Sequence, residues 1–418
     1  MKKILLIILV VLCSINQSIG STVDDEAKLT NAFNILFDDD ASSNKNNAFC
    51  IFRNIYNSTS SQKKSEYTNH MLATYGLGLC YYNGFGVERS YDIAFLHFSE
   101  LVSRGFDNYV PEAGFYYGEC CYNGYGTKQD SNRARISYYH SALFGSASSK
   151  VTLGYFLAND EENMVKGHET EIFNWLKEEA DKNSADAQYV LGHLYLDGKA
   201  CSKDEMLGVS YLEKSANNGF ERALYELAKR YSQLGKFQNY PKAFSYYTIL
   251  ANRDDAYSQY YLGVCYSLGK GTTEDNSLAL QWYKKAADGG CADALYTLGD
   301  IYYKGEYVQK DNSKALSYYK EFLSHQYDKD PHTDNVVIRV VFVKSKIGDI
   351  YYEEKNYEMA VKYYLQAVDI EQITSKSAKN LAICYKWGYG GLLQSNRKSE
   401  EWLEKAIELG NKEASKMR

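Results

Sequence analysis

Nine small residues recur along this chain at an interval that suits one helical hairpin per step: Gly78, Gly118, Gly154, Gly192, Ala228, Gly263, Gly299, Gly348 and Ala382. Neighbours in this series lie 34 to 40 residues apart, with one step of 49. A coiled coil repeats every seven residues, so the interval excludes that fold and points to stacked pairs of short helices. The stretch 262–290, LGVCYSLGKGTTEDNSLALQWYKKAADGG, shows the unit at its clearest. Its first helix carries Leu262, Gly263 and Tyr266 and stops at Gly269-Lys270-Gly271, where glycine enters the left-handed conformation that ends helices. Asp275 stands as N-cap of a second helix bearing Ala279, Trp282 and Tyr283, and Gly289 closes it. One such hairpin cannot bury its apolar face alone, so copies must stack.

Three further slots keep the same register. Three residues after the small position stand Tyr81, Tyr195, Tyr231, Tyr266, Tyr302, Tyr351 and Tyr385, with Cys121 and Leu157 as exceptions. The start of helix two shows Ser90, Asp130, Asp204, Asn239, Asp275, Asp311, Asn356 and Ser395, and only His168 of the third repeat is not an N-cap residue. Eight positions later come Phe98, Tyr138, Leu176, Leu212, Tyr247, Tyr283, Tyr319, Tyr364 and Leu403. The small residue lets a neighbouring helix approach and the large side chains fill the space beside it. A content of 41 tyrosines and 3 prolines agrees with such an all-α array.

The chain divides accordingly. Residues 1–20 read as a signal peptide, with Lys2 and Lys3, an apolar run at 4–12 and the small-x-small triplet Ser18-Ile19-Gly20. That run is short for a membrane anchor, and no later segment offers the roughly 18 apolar residues of a span. Residues 21–66 form an N-terminal cap and polar loop, the latter carrying the sequon Asn57-Ser58-Thr59, where Asn57 is expected to be glycosylated. Seven repeats occupy 67–325, an inserted linker 326–337, two further repeats 338–410 and a tail 411–418. The linker, with Pro331 inside it, is the expected hinge, and the third repeat trades its glycine turn for an acidic insertion at 159–167. Loss of Lys2 and Lys3 moves the formal charge from -6 to -8, and no basic block favours nucleic acid.

Eight cysteines remain after the leader. Cys80, Cys120, Cys265 and Cys384 occupy one slot that Leu194, Ile301 and Ile350 fill elsewhere, so they read as small core residues rather than a disulfide framework. Cys50 with Cys80 is the one pairing worth testing. His168-Glu169-Thr170-Glu171 lacks the second histidine of a zinc motif, and Asp328, Asp330, His332 and Asp334 lack the glycine and distal glutamate of a calcium loop. Gly269-Lys270-Gly271 lacks phosphate-loop spacing, and no Gly-x-Ser-x-Gly elbow occurs. The expectation is therefore no catalytic residues, no metal and no cofactor.

The pattern Ala-x-x-x-Leu-Gly-x-x-Tyr-x-x-Gly-x-Gly, a cap, then Ala-x-x-Trp-Tyr-x-Lys-Ala-Ala-x-x-Gly resembles the SEL-one-like repeat family, a relative of tetratricopeptide repeats. ALYTLGDIY at 294–302 and WYKKAADG at 282–289 are close to its signature. The resemblance implies a right-handed α-solenoid of about nine stacked helix-turn-helix repeats that binds other proteins as an adaptor. With the leader, it is similar to the luminal branch that brings misfolded glycoproteins to ubiquitin-ligase components of the endoplasmic reticulum. The competing expectation is a secreted effector or enzyme acting outside the cell. Retention in the endoplasmic reticulum or bulk recovery from medium separates the two.

Helical positions turn by about 100° each, which places the slots on a wheel. The positions one after and two before the small residue fall opposite the apolar arc. They hold Tyr116, Glu119, Tyr155, His193, Glu226, Lys229, Tyr261, Asp300, Lys346 and Asp349. Because first helices line the concave surface in the resembled solenoids, these ten are the candidate protein-binding ribbon.

Overall fold

A computed structural model describes residues 23–38, 44–63, 66–324, 336–368 and 373–417. The leader at 1–20, residues 326–335 of the linker and its acidic cluster lie outside the described residues. Every described segment of regular structure is helical, so the chain is an all-α solenoid of stacked hairpins. Typical hairpins pair Pro111–Asn123 with Ser131–Leu143, Ala256–Leu268 with Asn276–Asp288, and Ala292–Lys304 with Asn312–Ser324. The chain forms two compact units, Met1–Ala223 and Leu224–Arg418.

Helix ends follow the sequence register. The side chains of Asp130, Asp204, Asp275 and Asp311 accept hydrogen bonds from the backbone N–H three residues on, at 2.9 to 3.0 Å. Ser90, Asn239, Asn356 and Ser395 do the same, whereas His168 makes no capping bond. Each bond satisfies one of the orphan amides of a helix N-terminus.

Packing explains the small slot. A Cβ added at Gly78 would meet the ring of Phe98 at 2.7 Å, at Gly118 that of Tyr138 at 2.8 Å, and at Gly263 that of Tyr283 at 2.7 Å. Gly192 faces Leu212 in the same way at 2.9 Å. Helix one thus lays its backbone directly on the side chain eight residues past the cap, and dispersion contacts are dense there. At Tyr81, Tyr195, Tyr231, Tyr302 and Tyr351 the tyrosine three residues after the small slot lies flat on an aromatic residue of helix two, whereas Tyr266 meets Phe244 of the preceding hairpin edge-on. Ring centroids are 6.0 Å apart for Tyr81 and His97, 5.7 Å for Tyr195 and Tyr211, 5.8 Å for Tyr302 and Tyr318, and 5.9 Å for Tyr351 and Tyr363.

Repeats are joined by a second device that the sequence reading missed. The middle residue of a Gly-x-Gly turn rests on the first residue of helix two in the preceding hairpin. Tyr125 stacks on Tyr91 at 4.2 Å, Tyr389 on Tyr357 at 4.4 Å, Lys45 lies over Phe85 at 4.1 Å and Lys270 over Tyr240 at 5.1 Å. The glycine that follows has positive φ at all four joints. A Cβ on Gly86, Gly126, Gly271 or Gly390 would strike the main chain of Lys45, Tyr91, Tyr240 or Tyr357.

Lys45 belongs to the N-terminal region, where the helices Val23–Phe37 and Lys45–Ser58 are seated as a further hairpin. Phe52 presses on Gly76 of the first repeat, at 2.5 Å from a Cβ placed there. Asn57, expected on a loop, lies instead in the last turn of Lys45–Ser58, with its side chain exposed. The helix runs past Tyr56 because Thr59 ends it: its Oγ1 and N–H both donate to the carbonyl of Ile55.

At the 326–337 insertion the flanking repeats share one hydrophobic core, in which Val343, Ile347 and Ile350 pack with Leu298, Ile301 and Phe322. Arg339 pairs with Asp293 and Lys346 with Asp300 across the same joint. The helix Val336–Glu353 begins within the last residues assigned to the linker.

Candidate interaction surface

The structure places the ten wheel-selected residues on first helices, yet packing claims most of them. In the first unit Tyr116 is half-buried and lies flat on Phe98 at 5.2 Å, edge-on to Tyr82 at the same distance. Burial pushes its phenol up to about 12, with the carboxylates of Glu112 and Glu119 adding to the shift. Glu119 accepts a hydrogen bond from Tyr138 Oη at 2.6 Å. Tyr155 stands 6.4 Å from Tyr189, whose ring also meets His193 at 4.6 Å.

In the second unit Glu226 pairs with Arg230 at 3.0 Å and Lys229 is exposed. Tyr261 stacks on Tyr247 at 5.1 Å. Asp300 accepts from Tyr319 Oη at 2.6 Å and pairs with Lys346, whose Nζ also donates to Tyr296 Oη at 3.2 Å. Asp349 is a correction to the wheel: it is 2% exposed and cannot face a partner. It accepts from Tyr364 Oη at 2.8 Å, Ser377 Oγ at 3.0 Å and Asn380 Nδ2 at 3.1 Å.

One rule connects these acids. In three of the five repeats with tyrosine eight past the cap, at Tyr138, Tyr319 and Tyr364, the residue after the small slot is Glu119, Asp300 or Asp349. At Tyr283 and Tyr247 the phenol meets a serine instead, Ser267 at 3.1 Å and Ser232 at 3.4 Å. The wheel turned these carboxylates toward solvent because it ignores the neighbouring helix, whose buried phenols need acceptors. The aligned sequence carried the signal, since acid and tyrosine occur together in the same repeats.

What remains for a partner is a half-buried aromatic surface in each unit. Sequence reasoning missed its second row, three residues before the small slot: Phe115 and Tyr189 in the first unit, Tyr260 and Tyr296 in the second, all half-buried. These rings have few rotamers to lose, and the three tyrosines present both an apolar face and a polar tip. The repeat-slot cysteines Cys80, Cys120, Cys265 and Cys384 are buried, as a core reading requires. Burial pushes the thiols of Cys80, Cys120 and Cys384 up to about 12 and that of Cys265 to about 11. Cys50 is exposed and not bonded to Cys80. Among the described residues no helix is long and apolar enough to cross a membrane.

Comparison with known proteins bears on the same repeats. The family model described as Sel1 repeat matches residues 72–106, 111–142, 185–220, 221–255, 256–291, 292–323, 348–369 and 375–411, more than half of the chain. The matched segments pass over the third repeat, where the acidic insertion replaces the glycine turn. Chitin synthase regulatory factor 3 of Schizosaccharomyces pombe is 30% identical over 190 residues, covering 43% of this chain and 20% of that protein. The ERAD-associated E3 ubiquitin-protein ligase component HRD3B of Arabidopsis thaliana is 30% identical over 127 residues, covering 30% of this chain and 20% of that protein. The chain thus matches only a fifth of either relative's length. A protective antigen of uropathogenic Escherichia coli displaying an SLR fold superposes with a TM-score of 0.64, at 22% identity, over 93% of this chain and 78% of that one. At that identity the likeness speaks to fold alone.

Proposed function

The chain belongs to the Sel1 repeat family, and from that premise we propose that it is a non-enzymatic adaptor of the secretory pathway that holds other proteins on its first-helix surface. The observation that carries the adaptor reading is the row of half-buried rings on that surface, including Tyr155 and Tyr189 in the first unit and Tyr260, Tyr261 and Tyr296 in the second. Rigid aromatic side chains beside hydrogen-bonded carboxylates supply contact area at small entropic cost. The secretory setting is supported by the leader-like start at 1–20 and by the exposed side chain of Asn57. Similarity to a protein described as an ERAD-associated ligase component supports ubiquitin-ligase components as partners, and the resemblance to the luminal branch adds misfolded glycoproteins.

Affinity capture after crosslinking in the native host tests this. Tyr155→Ser should leave the melting temperature close to wild type and weaken capture of the main partner. Tyr116 and Tyr261 are left in place because they stack on Phe98 and Tyr247. Unchanged capture by the folded variant would remove the surface from the reading. Native protein that loses no mass on deglycosylation, or that is recovered in bulk from medium, would remove support for residence in the lumen.

A further inference from the structure

The joint between the second and third repeats lacks the latch that closes four others. The third repeat's first helix, Ala147–Ala158, leads into Asn159 and Asp160, the latter with φ 60°, and then the short turn of helix Glu162–Val165. No glycine pair is present there to seat a side chain on Ser131, the first residue of helix Ser131–Leu143. Ser131 holds the position that Tyr91, Tyr240 and Tyr357 occupy at closed joints.

The wall of the latch is nevertheless built. At two closed joints the tyrosine four residues after the small slot meets the latch edge-on: Tyr82 against Tyr91 and Tyr352 against Tyr357, both at 5.4 Å. Tyr122 holds this slot in the second repeat. In place of a latch the structure has an open cavity of about 610 Å³, lined by Tyr122, Gln129, Ser131, Asp160, Glu161 and Met164 among others. The position that a residue of the chain fills at four joints is open here.

We propose that this cavity receives an arginine side chain from a bound protein. The inference deepens the adaptor reading and rests on it for the partner being a protein. The rings that close the other joints meet either a second ring or an ammonium group, so a planar cation suits the position. Charge then selects the occupant. Glu161 Oε2 accepts from the phenol of Tyr122 at 3.0 Å, a neutral donor, while Asp160 pairs with Lys199 at 2.9 Å. An aromatic guest would leave the Glu161 carboxylate without an opposite charge. A guanidinium lies flat on Tyr122 and offers the carboxylate two parallel donors in one placement, where an ammonium offers only a point charge. Met164, 5% exposed, gives the methylene stem an apolar floor.

The test titrates end-blocked Gly-Gly-Arg-Gly-Gly, and the same peptide with norleucine for arginine, into the purified full chain by ligand-observed NMR. The arginine peptide should bind saturably and about tenfold or more tighter than its norleucine counterpart. Glu161→Gln should erase that preference. Ser131→Tyr, which installs the ring found at three closed joints, should block the peptide while the melting temperature holds. Equal binding of the two peptides, no binding of either, or wild-type preference in Glu161→Gln would each overturn the proposal. Peptide binding with no protein captured from the host would leave the receptor standing and sink the adaptor reading. Capture without peptide binding would do the reverse.

Discussion

At the scale of single residues, the fold depends on small backbones pressed by large rings, and on what those rings do with their hydroxyls. Tyr364 is fully buried and donates to Asp349, a carboxylate held in the same interior. Burial raises the Asp349 carboxyl above its ordinary 3.8, while Lys376 and donors from Tyr364, Ser377 and Asn380 pull the other way. A carboxyl raised on folding contributes stability that is present below the unfolded value and lost as pH rises through the folded one. Tyr364→Phe removes a donor to the charged form, so its cost should be about 1–3 kcal/mol near neutrality. The penalty should shrink as pH falls toward 3.8, where the carboxyl is protonated. Chemical denaturation at the two pH values checks this, and a penalty independent of pH would count against the Asp349 account.

At the scale of helices, charged pairs tie one repeat to the next. The helix Val336–Glu353 ends in Glu353, which pairs with Lys310 of the seventh repeat and Lys376 of the ninth, each at 2.9 Å. Burial works against the Glu353 carboxylate, but the hydrogen bonds and charges of Lys376 and Lys310 outweigh it and hold the group at about 2. A depressed carboxylate contributes stability above its unfolded value, here 4.5, that disappears as pH falls through about 2. Because a third of the side chain is exposed, screening reduces the gain, and Glu353→Gln should cost about 1 kcal/mol at pH 7. The two proteins should converge in melting temperature near pH 2. A difference that persists there would mean that Glu353 acts through packing instead. The same clamp, with Arg339 on Asp293 and Lys346 on Asp300, keeps repeats seven, eight and nine stacked past the insertion.

At the scale of the whole molecule, a solenoid couples each hairpin chiefly to its neighbours, so damage should stay local. Gly299 lies against the ring of Tyr319, and Gly299→Leu should overpack that contact at a cost of about 1–3 kcal/mol. Hydrogen exchange should accelerate in the helices Ala292–Lys304 and Asn312–Ser324 and their neighbours in the second unit. The helices Tyr67–Asn83 and Tyr91–Ser103 of the first unit should keep their protection. Uniform acceleration along the chain would show a cooperativity that nearest-neighbour stacking does not produce.

Sequence alone determined the hairpin register, the N-caps and the close approach of helix one to helix two. These are short-range demands written again in every repeat: Asp275 must cap its own helix, and Gly263 must clear Tyr283 within one hairpin. A period read from nine copies therefore sufficed. What joins or opens successive hairpins was decided by the tertiary structure. Asp349 points inward because Ser377 and Asn380 of the next repeat offer it donors, which a single-helix wheel does not contain. Asn57 stays helical because Thr59 closes the turn behind it. The gap beside Tyr122 exists because its facing acid, Glu161, lies 39 residues away on an insertion that lacks the glycine pair of the closed joints. Such a vacancy is a property of two repeats brought together, and no single period along the chain encodes it.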